Sequence, residues 1–65
     1  MIHKYQIGDF VRPKFSSTLW FGIITEQTAD IIEDNAYPSY GIKWINYDGY
    51  MPYMFEDEIT PITRN

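Results

Sequence analysis

The side chains able to do chemistry in this sequence are few, and they do not form the sets that catalysis requires. His3 is the only histidine among the 65 residues, and there is no cysteine. A hydrolase-type triad is therefore excluded unless another chain contributes to it. The four glycines stand singly, so there is no glycine-rich loop for a phosphate group. The sequence predicts a protein that is not an enzyme and that uses no cofactor.

Two acidic clusters are the next candidates, as ligands for a hard cation. Asp30, Glu33 and Asp34 form the first cluster, and the run Glu56-Asp57-Glu58 forms the second. Neither has the alternating ligand spacing with a central glycine that is typical of a calcium loop. We interpret both as solvated turns and predict no metal site.

Aromatic side chains are the remaining candidates for binding. They make up 18% of the chain. Five of them are more than a core of this size can hide completely: Trp20, Tyr37, Tyr47, Tyr50 and Tyr53. Tyr and Trp are favoured at interfaces because they provide contact area and a hydrogen-bonding group at low entropic cost. Several aromatics near one hairpin form a patch, whereas one exposed ring is ordinary. We predict a partner-binding surface that comprises Trp20, Trp44, Tyr47, Tyr50 and Tyr53.

The elements that must position these aromatics are short strands. Tyr40, Ile42 and Trp44 fall on one face of a strand at period two, so this strand is predicted to be central and Trp44 to pack in or against the core. Residues 46–49 (Asn-Tyr-Asp-Gly) supply the chemistry of a tight turn. Another strand is predicted over residues 50–55.

The rest of the chain adds three strands and a loop. The turn at Gly8-Asp9 begins a strand that either lies at an edge of the sheet or ends at Pro13. Residues 19–26 are apolar on both faces and are predicted to bend at Gly22, and residues 59–62 form a closing strand. Residues 28–38 are predicted to be a loop. Its Ile31-Ile32 pair either caps the open end of a barrel, which we favour, or forms an exposed binding surface.

Five short strands separated by turns predict an all-β fold, a small SH3-like barrel of about five antiparallel strands in one domain over residues 1–65. Four short motifs carry a resemblance in their order and spacing: residues 7–11, 22–24, 40–44 and 58–62. Their order resembles that of SH3-like barrels, particularly short phage and bacterial proteins of this class. The resemblance implies a fold but no function, because the architecture hosts many unrelated roles.

Residues 40–44 followed by Tyr47 also resemble the chromodomain and Tudor-type pattern, in which aromatic rings cage a methylated lysine through cation–π contacts. Trp44 and Tyr47 would supply two rings, and Phe10, Tyr50 or Tyr53 a third. The chain departs from the chromodomain pattern because it lacks the C-terminal helix. A packing role for Trp44 in the core or hairpin is the competing interpretation, which we favour.

Net charge indicates the class of partner. Nine acidic residues against five basic ones give −4 at pH 7, and the only local basic density is Arg12 and Lys14, with Lys4 nearby. Generic nucleic acid is therefore disfavoured as a ligand. We predict a non-enzymatic protein-binding module, a phage-encoded accessory or structural factor whose partner is another protein or itself. The alternatives are a nucleic-acid-binding barrel that uses Arg12, Lys14 and Lys43, and a self-assembling homo-oligomeric subunit.

Location is indicated by what the sequence lacks. No segment approaches the roughly 20 apolar residues of a membrane span. The first residues carry no apolar run like that of a signal peptide, and the chain has no cysteine to indicate an oxidising compartment. We expect a cytoplasmic protein without a membrane partner, located in the host cytoplasm or the virion if it is phage-encoded.

Overall fold

The computed structural model describes residues 1–14, 21–45 and 53–62, and these residues form strands and one short 3₁₀ helix. In chain order the elements are β1 (Phe10–Pro13), β2 (Phe21–Ile32), β3 (Asn35–Ile45), β4 (Tyr53–Phe55), the 3₁₀ helix (Glu56–Glu58) and β5 (Ile59–Pro61). The all-β prediction is confirmed. Within the described ranges, no helix has the length and apolar character needed to cross a membrane.

The strands form one antiparallel sheet in the order β4-β3-β2-β1-β5. β2 and β3 pair from Phe21↔Ile45 to Ile32↔Asn35, and β1 pairs with both β2 and β5. β4 pairs with residues 39–41 of β3. No ladder joins β4 to β5 in the described part of the chain, so the sheet is open and the closed SH3-like barrel is not confirmed.

The two edges of this open sheet are nevertheless close together. In a flat sheet, four strand intervals of about 4.8 Å would separate β4 from β5 by about 19 Å. Phe55, which ends β4, and Ile59, which begins β5, are linked by only the three residues of the 3₁₀ helix. Four residue steps span at most about 14 Å even when fully extended. The sheet must therefore be curled.

The prediction of a loop over residues 28–38 is wrong, because β2 and β3 continue through these residues as a hairpin. Its two-residue turn consists of Glu33 and Asp34, which both have positive φ angles (49° and 67°), as a type I′ turn requires. Residues 29–38 pair only with each other and form what we call the arm. Ile31 and Ile32 lie on the arm, 71% and 47% exposed, so the prediction that they cap a barrel is also wrong.

Several other predictions about single elements are confirmed. β1 ends at Pro13, and the turn at Gly8-Asp9 is closed by the Asp9 N–H, which donates to the carbonyl oxygen of Gln6 at 3.0 Å. The alternation predicted around Tyr40 places that residue in the core. The buried apolar side chains are Tyr5, Val11, Ile24, Tyr40, Ile42, Met54 and Ile59.

Gly22 has a different role from the predicted bend. The irregularity in β2 lies between Ile24 and Glu26, where the register shifts, and Gly22 pairs regularly with Trp44. A Cβ atom on Gly22 would lie 2.5 Å from Cγ2 of Ile42 and 2.7 Å from Cε3 of Trp44. Gly22 is therefore required for close packing of β2 against side chains of β3.

Candidate partner-binding site

The predicted aromatic surface is described only in part. Trp20, Tyr47 and Tyr50 lie outside the described residues. Trp44 is half-buried and packs against the core, as its alternation with Tyr40 and Ile42 predicts. Tyr53 is 56% exposed and pairs with Gly41, which lies on the other face of β3. The structure therefore places Trp44 and Tyr53 on opposite faces of the sheet.

A concave site lies instead between the arm and the 3₁₀ helix. This site, which we call the arm pocket, has a volume of about 350 Å³ and is lined by Ile32, Tyr37, Pro38, Phe55, Glu56 and Asp57. The rings of Tyr37 and Phe55 are edge-to-face, with centroids 6.5 Å apart and planes at 83°. Apolar walls with a few polar groups are the usual composition of a ligand site.

The register of the sheet brings the apolar walls of the arm pocket together. Ile32 pairs with Asn35, and Ser39 pairs with Phe55. Because side chains alternate along β3, residues 35, 37 and 39 share one face, and their cross-strand partners share it too. Ile32, Tyr37 and Phe55 therefore point to the same side of the sheet, opposite the face that carries Tyr40.

The acidic side of the arm pocket consists of Glu56 and Asp57. Oε2 of Glu56 accepts hydrogen bonds from the Tyr40 hydroxyl at 2.5 Å and from the Lys4 N–H at 2.8 Å. The hydrogen bond from Tyr40 is the largest cause of a lowered pKa for Glu56, and the Lys4 N–H and the charges of His3 and Lys4 lower this pKa further. Glu56 is therefore ionised at neutral pH, and Asp57 adds an exposed carboxylate.

The segment before β1 is held by hydrogen bonds next to this site. Nε2 of His3 lies 2.6 Å from the carbonyl oxygen of Thr28, and the His3 ring packs edge-on against Tyr40. The Tyr5 N–H donates to the Tyr40 hydroxyl at 3.0 Å, and Nε2 of Gln27 donates to the Tyr5 carbonyl at 2.7 Å. We call residues 3–6 the strap.

The two acidic clusters differ in what they do. Asp30, Glu33 and Asp34 are exposed on the arm. The run at residues 56–58 is more than a solvated turn, because Oε1 of Glu58 accepts the Phe55 N–H at 2.9 Å and caps the 3₁₀ helix. Within the ranges that the structure describes, no group of three or more His, Cys, Asp or Glu side chains is placed to hold a metal ion.

The basic residues considered for nucleic acid lie elsewhere. Arg12, Lys14 and Lys43 are exposed. The pairing of Phe10 with Ile23, and of Ile23 with Lys43, puts Arg12 and Lys43 on the sheet face that also carries Phe10. None of these residues lines the arm pocket.

The arm pocket lies partly on residues 28–38, which the sequence predicts to be a loop, so the sequence does not predict this site. The alternation of Asn35, Tyr37 and Ser39 is a strand signal that could have placed Tyr37 on a face with Ile32. The contribution of Phe55 depends on the pairing of β4 with β3, which no local pattern reveals.

Comparison with protein-family models, with curated proteins and with solved structures finds no match for this chain. Function is therefore inferred from the geometry of the arm pocket.

Proposed function

We propose that this protein is a non-enzymatic protein-binding module that takes a short segment of another protein into the arm pocket. The observation that supports this is the exposed apolar wall formed by Ile32 and Tyr37, which are 47% and 44% accessible beside Phe55. Neither Ile32 nor Tyr37 belongs to the buried core, so the fold does not need them for its packing. Grouped, exposed apolar side chains in a concave site are typical of interaction surfaces.

The size of the arm pocket favours a peptide segment as the ligand. A volume of about 350 Å³ accommodates one or two side chains rather than the face of a folded domain. Covering the apolar walls stabilises the complex by about 25 cal/mol for each Å² removed from water. Ile32 and Tyr37 lie on paired strands, so little ordering is needed when the ligand binds.

A foreign partner suits this site better than a second copy of the chain. Two copies that met at their arm pockets would bring Glu56 and Asp57 of each close to those of the other, and each copy carries a net charge of −4. Like charges placed opposite each other disfavour such an interface. The resemblance to short phage and bacterial barrel proteins suits an accessory factor of this kind acting in the cytoplasm.

We also infer that the curled sheet belongs to the SH3-like barrel class. The pairing of β1 with β5 and the short connection from β4 to β5 support this. The register shift between Ile24 and Glu26 supports it further, because bulges increase the local bending of a sheet.

A selection from a displayed random-peptide library tests the proposed function. We expect enriched peptides whose affinity falls about tenfold or more in Ile32→Asp, because a charge on the apolar wall opposes burial. Ile31→Asp is the matched control, since Ile31 is the adjacent residue on the other face of the arm and is also exposed. We expect this control to bind as the parent does.

Thermal melts should show both variants folded, since neither side chain is in the core. Failure to enrich any peptide, or an Ile32→Asp variant that binds as tightly as the parent, would contradict the proposal. A parent protein whose mass doubles with concentration while no peptide binds would favour the self-assembling subunit instead.

A further inference from the structure

We propose that the arm pocket selects peptides that carry a lysine or arginine side chain. This inference rests on the proposed function and names the chemistry of the ligand. It combines the aromatic corner of Tyr37 and Phe55 with the carboxylates of Glu56 and Asp57, which line the same cavity.

The aromatic corner suits the stem of a basic side chain. Tyr37 and Phe55, whose rings lie at 83° to each other, both line the cavity, and Ile32 and Pro38 complete the apolar lining. Lysine and arginine bury their methylene stems along such surfaces while the charged head stays near water. A cation within about 6 Å of a ring centroid is attracted by the ring itself.

The carboxylates supply the selectivity for charge. Both hydrogen bonds that Glu56 accepts from described residues fall on Oε2, so within the described part of the chain Oε1 accepts none. Asp57 is exposed on the same cavity. Asp30 pairs with Tyr37 across the hairpin and adds a third carboxylate on the same face of the sheet. Hydrogen bonds between a cation and a carboxylate are about twice as strong as neutral ones.

Among the described residues, no lysine, arginine or histidine side chain lines this site. Lys4 approaches Glu56 through its backbone N–H, while its Nζ lies 5.7 Å from the centroid of the Tyr5 ring. The ring of His3 lies against Tyr40, with Nε2 at the carbonyl oxygen of Thr28. Neither Lys4 nor His3 lines the arm pocket.

Three tripeptides test the inference directly by NMR titration of the isotope-labelled protein. The probes are acetyl-Leu-Lys-Leu-amide and its analogues with norleucine or glutamate in the central position. Norleucine keeps the stem and removes the charge, and glutamate reverses the charge. We expect the lysine peptide to shift the amide signals of Tyr37, Phe55 and Asp57, with an affinity about tenfold above that of the norleucine peptide. The glutamate peptide should bind more weakly than either.

Matched variants separate a role in recognition from a structural one. Asp57→Asn should reduce the affinity for the lysine peptide several-fold and leave that for the norleucine peptide unchanged, because Asp57 is exposed at the cavity and the substitution removes its charge while keeping its shape. Asp34→Asn removes an exposed charge from the turn of the arm, away from the pocket lining, and should change neither affinity.

The outcomes distinguish this inference from the proposed function. Equal affinity of the lysine and norleucine peptides at the arm pocket would overturn the selectivity for a basic side chain and leave the binding function standing. Signals that shift with none of the three peptides would also overturn it, and the library selection would then decide the binding function by itself. Enrichment of lysine or arginine among the selected peptides would support both.

Discussion

At the scale of single residues, the Tyr40 side chain joins β3 to both the strap and the 3₁₀ helix. Its ring is fully buried, and its hydroxyl accepts the Tyr5 N–H and donates to Glu56. Burial is the largest cause that raises the pKa of Tyr40 to about 12, and the hydrogen bond to Glu56 adds to it. One hydroxyl thus holds the strap and the 3₁₀ helix together, beside the arm pocket.

Tyr40→Phe tests this link. The substitution keeps the ring but leaves the Tyr5 N–H and Glu56 without their shared partner, so we expect the free energy of unfolding to fall by about 1–3 kcal/mol. The lowered pKa of Glu56 should rise towards its ordinary value, because its largest cause is removed. Urea melts and a carboxyl titration by NMR measure the two effects.

The decrease of stability at alkaline pH provides a second test of the Tyr40→Phe variant. The pKa of Tyr40 is higher in the folded state than its ordinary 10.0, so its contribution to stability is complete below pH 10 and is lost as pH rises towards 12. Tyr40→Phe should flatten this decline in stability. Tyr37→Phe is the control, since Tyr37 is 44% exposed. Parent and Tyr40→Phe melts that coincide at pH 7 and pH 11 would contradict the role given to Tyr40.

At the scale of elements, the long β2–β3 hairpin organises the molecule. The part of the hairpin away from its turn, residues 21–28 and 39–45, supplies core residues such as Ile24 and Ile42. The part next to the turn forms the arm. The close packing of β2 against β3 in this part depends on Gly22, where any side chain would meet Ile42 and the ring of Trp44. The same hairpin therefore provides a packed base and an exposed binding wall.

Gly22→Ala and Gly41→Ala form a matched pair on this hairpin. Gly22→Ala should destabilise the fold by about 1–3 kcal/mol, because its Cβ would overlap packed side chains. In Gly41→Ala the Cβ would lie 2.6 Å from Cγ of Glu26, an exposed side chain that can rotate away at the cost of the hydrogen bond it accepts from the Tyr53 hydroxyl at 2.8 Å. Its cost should be at most about 1 kcal/mol.

Thermal melts separate these two variants, since 1 kcal/mol corresponds to about 4–8 °C in a domain of this size. A Gly22→Ala variant that melts no lower than Gly41→Ala would show that the packing around Gly22 is looser than the structure indicates.

At the scale of the whole molecule, charge and curvature act together. The curled sheet encloses one small core, the strap covers part of it, and the arm extends beyond the strands that flank it. The net charge of −4 and the carboxylates at the arm pocket give the protein an electrostatic preference for basic ligands. This preference acts against polyanions.

Duplex DNA provides the corresponding prediction. In about 150 mM salt we expect no micromolar binding to random duplex DNA, because few cations are available to displace counterions from phosphates. Strand pairing puts Arg12 and Lys43 on one sheet face, but the chain has only five basic residues against nine acidic ones. Fluorescence anisotropy measures this, and a titration at low salt is the control. Micromolar affinity that falls steeply with salt would favour the nucleic-acid-binding alternative.

The sequence by itself determined the local features of this protein. Alternation of Tyr40 and Ile42 predicted a buried central strand, and the Gly8-Asp9 turn and the end of β1 at Pro13 followed from backbone chemistry. These predictions succeeded because side-chain period and turn preference depend on neighbouring residues only. The turn of the arm was missed because Glu33 and Asp34 adopt positive φ angles without glycine.

Only the tertiary structure decided the arm pocket, the strap and the openness of the sheet. The arm pocket needs Phe55 beside Tyr37, and the strap needs the Tyr40 hydroxyl 35 residues from the Tyr5 N–H. Closure depends on whether β4 pairs with β5 after the intervening strands have curled the sheet. Such contacts join residues that are distant in the chain, and their free energy comes from burial and hydrogen bonding after the sheet has formed. No local periodicity records them.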